Sequence, residues 1–281
     1  MNNQVSPHPE KVLQDAARQF FYKPYIAFFR AFELRAYHCV NTRLEAPAVD
    51  LGCGDGGFGD VLRTSLGQST CFRGFDTCPR ALQSAEKNHR QSYQELNTAS
   101  ATNLPLEDGE VRTLVANGLL EAVQPGLQEA IVEIGRILHK EGTFYCTVPT
   151  DRFGYEAFGT TFWTRLGFSS RADSYRNKLN RRMTNFNLLT REEWEKCLTE
   201  AGLHVERVVG FFPASLERTW SLLTWTPLRI FSASRLIPLA SLHQLLAKML
   251  YRMFLSEFSR TPVDADPATC SYILLVVRKT S

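Results

Sequence analysis

The stretch Ala48-Val49-Asp50-Leu51-Gly52-Cys53-Gly54-Asp55-Gly56-Gly57-Phe58-Gly59 constrains this chain more than any other. Val49 and Leu51 give the end of a buried strand, the glycines give a turn, and a helix begins at about Phe58. Glycine at 52, 54 and 56 lets the backbone turn with no Cβ in the way, so a ligand can lie against bare main chain. The string also fits G-x-G-x-x-G at Gly52, Gly54 and Gly57. A strand, a glycine turn and a helix in succession predict an open α/β sheet with a ligand at the turn, but they do not choose the ligand.

Asp50 separates two readings. A dinucleotide would put its pyrophosphate into this turn, beside a carboxylate that repels it. S-adenosylmethionine carries no phosphate, and its sulfonium and ammonium are cations that a carboxylate favours. Asp76 closes the next apolar run, Cys71-Phe72-Arg73-Gly74-Phe75-Asp76, where a carboxylate can accept both hydroxyls of a ribose. Either cofactor would use Asp76, so the distinction rests on Asp50, and a nicotinamide-dependent oxidoreductase is disfavoured.

With these residues the sequence resembles the class I S-adenosylmethionine-dependent methyltransferases, and within them the small-molecule and lipid methyltransferases with an L-G-C-G-D/T-G turn. The resemblance runs from about residue 48 to 148, with weaker echoes to Leu203 and across 272–277. It implies a Rossmann-like, doubly wound seven-stranded sheet in the order 3-2-1-4-5-7-6, with the last strand antiparallel. It implies S-adenosyl-L-methionine as cofactor, with contacts from Asp50, Gly52, Cys53, Gly54, Asp76, Thr77, Ser100, Ala101 and Asn117. Ser100-Ala101-Thr102-Asn103-Leu104-Pro105-Leu106 resembles the family's D-A-x-x-L-P-F turn beside the adenine, with Ser100 in place of the aspartate, a weaker and neutral acceptor. Many members carry a histidine where this chain has Ala122. An N-terminal helix often caps the cofactor site in this family, and here 24–41 is an aromatic-rich helical run. Its Arg30 and Glu33 could reach the cofactor's methionine end, although a surface ion pair one turn apart is the default for such spacing.

The remaining elements follow in order. Strands are expected at 70–75, 93–96, 111–116, 142–148, 203–211 and 270–278, and helices at 58–65, 79–89 and 128–138. Thr190-Arg191-Glu192-Glu193 is a capping box opening a helix over 190–201, and His139 reads as a cap at the end of the helix before it. Residues 1–20 read as polar and mobile. The expected organisation is an N-terminal helical cap over 1–45 and a cofactor-binding domain made of 46–211 with 267–281. It carries a substrate-cover insertion at 150–189 and a helical insertion at 212–266.

The 281 residues suit one large domain, and 44% hydrophobic with 22% charged residues is ordinary for a soluble globule. Seven scattered cysteines form no C-x-x-C pair and read as reduced thiols, with no metal site. Together with an N-terminus lacking a basic and then apolar signal, this suggests a cytoplasmic protein. Net charge is +3. Residues 165–182 carry +5 and 211–260 carry +4, which leaves −6 on the rest. That total is too low to favour nucleic acid as a partner. It concentrates cations in the two insertions, around a small or lipid-linked anionic acceptor. Tyr175, Arg176, Arg181 and Arg182 are the candidate acceptor-binding residues, against a solvated helix face as the plain alternative.

Methyl transfer needs alignment and exclusion of water more than it needs a fixed set of catalytic groups. A base is required only for a nucleophile holding a proton of high pKa. Candidates are Glu121, Asp151, Tyr155, Glu156 and Tyr175, each otherwise an ordinary polar loop residue, so no catalytic residue is assigned. A non-catalytic partner subunit with the same fold is the competing reading. In 212–266, Leu242, Leu245, Leu246, Met249, Leu250, Met253 and Phe254 share one helix face, and Trp220, Leu222, Leu223, Trp225, Leu228, Ile230 and Phe231 form a second apolar cluster. Charges interrupt both too often for a span. A lid is the plain expectation. An interfacial surface on anionic lipid, at the inner face of a membrane, is the sharper one.

Overall fold

The computed structural model of the chain describes residues 9–224 and 240–280. Its strands are β1 (Ala48–Leu51), β2 (Phe72–Asp76), β3 (Tyr93–Thr98), β4 (Val111–Asn117), β5 (Leu138–Pro149), β6 (Leu203–Pro213) and β7 (Cys270–Lys279). They form a single sheet in the order 3-2-1-4-5-7-6. The first five pair in parallel, and β7 runs antiparallel to both β5 and β6. This is the Rossmann-like order expected from the sequence.

Ten α-helices lie among the described residues: α1 (Pro9–Gln19), α2 (Pro24–Cys39), α3 (Gly57–Ser65), α4 (Pro79–His89), α5 (Leu127–Ile137), α6 (Phe158–Arg165), α7 (Ser169–Met183), α8 (Arg191–Glu200), α9 (Ser215–Leu223) and α10 (Ala240–Arg260). The central strands are buried on both faces, as near-continuous apolar runs require. Alternate residues divide between two cores. Val115, Tyr145, Leu274 and Val276 pack with Leu13, Phe28, Phe32 and Leu62. Leu114, Ala116, Phe144, Cys146 and Leu275 pack with Ile131, Ile134, Trp194 and Leu198.

Three expectations are corrected. Residues 9–19 are helical, and Val12, Leu13, Ala16 and Ala17 are buried. Their i, i+1, i+4, i+5 spacing makes one apolar stripe, so the segment is docked and not mobile. His139 caps no helix: α5 ends at Ile137 and β5 begins at Leu138, and His139 Nδ1 accepts from the Glu141 amide at 3.1 Å. Trp220 is no membrane anchor, because only 2% of it is exposed.

Helix α10 forms a third layer over α2. Phe254 meets Phe28 at 4.8 Å and Phe258 meets Phe32 at 5.2 Å between ring centres. Arg35 fastens the end of α10 by donating to the carbonyls of Phe258 (2.7 Å), Thr261 (3.0 Å) and Pro262 (3.1 Å), the favoured place for a cation at a helix C-terminus. The expected apolar face of α10 is split. Leu250 and Phe254 are buried, whereas Leu245, Met249 and Met253 are exposed. Trp225, Leu228, Ile230 and Phe231 lie outside the described residues. No helix among the described residues is long and apolar enough to cross a membrane.

Candidate active site

The glycine turn joins β1 to α3 at the carboxyl edge of the sheet. Gly54 has φ +55°, and a Cβ built on it meets nothing within 4 Å. The turn therefore leaves open space where a side chain would stand. Gly59 has the opposite reason for being glycine. A Cβ there would collide with the Tyr93 hydroxyl and with Asp50, so its absence lets α3 lie close on the sheet.

Asp76 is fixed from both sides. Its Oδ2 accepts from the Gly54 amide and its Oδ1 from the Cys78 amide, each at 2.8 Å. Each oxygen keeps a lone pair for a hydroxyl. Asp50 sits behind the turn, 3% exposed, and accepts from the Tyr93 hydroxyl at 2.7 Å. Burial raises its pKa to about 6, against the opposing pull of Tyr93 and Arg30 and with some help from Asp76. Gly52 and Cys53 both donate their amides to the Phe75 carbonyl, at 2.8 and 3.1 Å, which ties β1's exit to β2. Burial raises the Cys53 thiol. Thr77 is exposed and Ala101 is buried. Ser100 is exposed, with its hydroxyl bonded to that of Thr102 at 2.8 Å.

Asn117, at the end of β4, is buried. Its Oδ1 accepts from Tyr37 at 2.5 Å, but its Nδ2 has no partner. A buried donor without an acceptor is costly, and this one lies at the sheet edge where ligands bind in open α/β folds. Helix α2 supplies the neighbouring wall. Glu33 is fully buried and pairs with Arg30, and it also accepts from Thr147 Oγ1 at 2.6 Å. The expectation of a surface pair is thus corrected: Arg30 lies over the Phe58 ring, 4.4 Å from its centre.

Beyond this edge opens a cavity of about 250 Å³. Arg182, of the four candidate acceptor-binding residues, lines it, with its guanidinium 5.9 Å from the Tyr25 ring centre. Tyr175 packs against Gly159. Arg176 lies over Tyr155 at 4.0 Å and pairs with Asp173 at 3.3 Å. Arg181 is exposed on α7. Neither Tyr175, Arg176 nor Arg181 is in the cavity wall. Among the candidate bases only Glu121 lines it; Asp151, Tyr155 and Glu156 are exposed.

Glu121 is 3% exposed, its Oε2 has no partner, and burial raises its pKa to about 8. Its segment is rigid. The Glu121 carbonyl accepts from the amides of Phe186 and Asn187 at 2.9 and 3.0 Å, and the Asn187 side chain donates to the carbonyls of Leu120 and Val123.

Sequence reasoning did not single out Glu217. It is fully buried and accepts from the amides of Gly154 (2.9 Å) and Glu156 (3.0 Å), holding the start of the 150–189 insertion against α9. Burial raises it to about 7. A single Glu in the amphipathic pattern of a short helix gives no sign of this, because its partners are backbone amides of a distant loop.

The open space at Gly54, the unpartnered Asn117 amide and the anchored Asp76 carboxylate fit S-adenosylmethionine. They would receive its chain against bare backbone, a polar group at Asn117 and the ribose hydroxyls at Asp76. A family model described as a methyltransferase domain matches residues 49–146. No curated protein matches the chain. Among solved structures it is similar to a geranyl diphosphate methyltransferase in complex with S-adenosylmethionine, at 14% identity over 91% of this chain and 88% of that one, with TM-score 0.55. It is similar to a Thermotoga maritima S-adenosylmethionine-dependent methyltransferase, described as a possible histamine N-methyltransferase, at 18% identity over 94% and 92%, TM-score 0.54. A 4+2 cyclase also shares the fold, at 17% identity over 90% and 82%, TM-score 0.53. Likeness at this level is one of fold and does not by itself choose a reaction. The family match falls on the strands, turn and carboxylates described above, and residues 49–146 of this chain are accordingly a methyltransferase domain.

Proposed function

We propose that this protein transfers a methyl group from S-adenosylmethionine to a small molecule bearing an anionic group. The observation that carries this reading is the cavity beyond Asn117, closed by residues of α2, α7 and α9, with Arg182 in its wall. Bound at the glycine turn, S-adenosylmethionine supplies an electrophilic methyl group. The chain contributes orientation and dryness. Aromatic residues exclude water from the cavity, the segment of Glu121 is fixed by α7's following turn, and Arg182 offers a charge-assisted contact to an anion.

The test is transfer of labelled methyl from S-adenosylmethionine to the small-molecule fraction of a host extract, with mass spectrometry for products carrying one added CH₂. A labelled anionic product that Arg182→Ala loses supports the reading. Cofactor binding with no product in any fraction favours a non-catalytic subunit.

A second acceptor source has one observation in its favour. Leu245, Met249 and Met253 form an exposed apolar stripe on α10, beside the exposed Lys248 and Arg252. Such a face suits the surface of an anionic membrane and would bring a lipid-linked acceptor to the cavity. It predicts co-sedimentation with phosphatidylglycerol vesicles that high salt weakens and that Leu245→Ser/Met249→Ser reduces. A protein that ignores such vesicles at low salt has no lipid preference.

A further inference from the structure

Five aromatic rings in a continuous row of contacts line the cavity. Phe29 meets Tyr272 at 4.7 Å between ring centres, Tyr272 meets Phe153 at 5.3 Å, Phe153 meets Trp220 at 5.6 Å, and Trp220 meets Tyr25 at 6.4 Å. Tyr25 and Phe29, at the two ends of this row, stand one turn apart on α2. The rings come from four separate parts of the chain, and all five line one cavity. Glu121 lines the same cavity, with its Oε2 lacking any partner.

The charges around this space are unequal. Arg30 is neutralised by Glu33 and lies over Phe58. Arg182, on the exposed side of α7, is the other cation in the wall. Tyr272 donates to Asn185 Oδ1 at 3.2 Å, and burial holds its phenol neutral. Glu121 makes no ion pair, and its Oε2 has no hydrogen-bond partner. A buried carboxyl with a free oxygen costs stability unless something pairs with it. Ring faces carry negative potential and attract cations, more strongly once water is excluded. Rings that line one cavity with an unpaired carboxyl are therefore complementary to an organic cation and disfavour a carboxylate or phosphate beside them.

We infer that the nucleophile of the acceptor is an amine, seated as its ammonium against the rings of Tyr25, Phe29, Phe153, Trp220 and Tyr272 and hydrogen-bonded to Glu121 Oε2. This rests on the proposed methyl transfer and names the reacting end of its acceptor, with the anionic end toward Arg182. Glu121 also has the proton chemistry such an acceptor needs. An ammonium has no lone pair to react with. When one of its N–H bonds breaks, the proton forms an O–H bond on Glu121 and the electron pair stays on nitrogen. Burial favours the neutral carboxyl, and the positive charge of a bound ammonium favours the ionised one; Glu121 takes the proton in that ionised form.

The test uses three probes of one shape, phenethylamine, 2-phenylethanol and phenylacetate, titrated calorimetrically into the full chain with and without S-adenosylhomocysteine. The amine is expected to bind at least about tenfold more tightly than the alcohol or the acid. Glu121→Gln, which keeps the shape, should abolish that preference. Phe153→Leu, which keeps an apolar wall but removes one ring, should weaken the amine several-fold and leave the alcohol nearly unchanged. S-adenosylhomocysteine should bind both variants as it binds the wild type. Equal binding of amine and alcohol, tighter binding of the acid, or an amine preference that survives Glu121→Gln overturns the inference. Failure of S-adenosylhomocysteine to bind the wild type overturns the cofactor reading instead, and the probe ranking without it still decides the amine preference.

Discussion

Glu33 is wholly buried and pairs with Arg30 one helical turn before it. An ion pair away from water persists only where its remaining hydrogen-bonding groups are met. Here Thr147 donates to the second Glu33 oxygen and the Phe58 face carries the Arg30 guanidinium. The pair locks α2 onto the end of β5 and the start of α3, which fixes this wall of the cavity. Removing one partner leaves a buried charge alone. Glu33→Ala is therefore expected to destabilise the protein by about 3 kcal/mol, and the double variant Arg30→Met/Glu33→Met by clearly less. Urea denaturation of both checks this, and equal losses would contradict it.

Asp76 is expected to carry the cofactor's ribose. Asp76→Ala should weaken cofactor binding by roughly 2–4 kcal/mol, from two charge-assisted bonds of about 1.5–3 kcal/mol each before non-additivity. The structure adds a second consequence, because the same change frees the Gly54 and Cys78 amides. Asp76→Asn keeps one acceptor oxygen and should lie between the two. Calorimetry with S-adenosylhomocysteine on well-folded variants reads this, and unchanged affinity in Asp76→Ala would remove Asp76 from the site.

The sequence was legible wherever local chemistry and global fold agree. The capping box of Thr190 and Glu193 appears with both of its hydrogen bonds, and Pro79 opens α4 where expected. The doubly wound sheet follows from strand–helix alternation, and its strand order from the resemblance carried by the glycine turn. What could not be read was burial produced by distant parts of the chain. Glu33 and Arg30 look like any i, i+3 pair until α2 is laid against Thr147, 114 positions away. Trp220 looks like a membrane anchor until α9 folds under Phe153. Arg182 is one of several cations in its stretch, and only the end of α7 directs it to the cavity. Sequence spacing gives a residue's neighbours on its own helix and nothing about the surface that helix meets.

Glu121 should make stability fall as pH rises. Its pKa is raised from 4.5 unfolded to about 8 folded, so the folded state holds the proton more tightly. The stability it contributes is complete below about pH 4.5 and is lost as pH rises through about 8. Glu217 (about 7) and Asp50 (about 6) act in the same direction over narrower windows. Glu121→Gln should remove the largest part of this slope, with a gain at pH 8.5 of up to roughly 4 kcal/mol. Denaturation midpoints from pH 5 to 8.5 test it. A variant with the same pH slope as the wild type would place Glu121 in contact with solvent or with a cation.

The central claim is that the open space beside Gly54 holds S-adenosylmethionine. Its most direct measurement is isothermal calorimetry of S-adenosylhomocysteine with the wild type and with Gly54→Val, alongside NADH. A Cβ at this position meets no atom within 4 Å in the protein itself. The positive φ costs folding about 1–2 kcal/mol, while the branched side chain would fill the ligand's place. The account predicts one-to-one binding by the wild type, no detectable binding by folded Gly54→Val, and no comparable affinity for NADH. Normal binding by Gly54→Val, or tighter binding of NADH than of S-adenosylhomocysteine by the wild type, would contradict it.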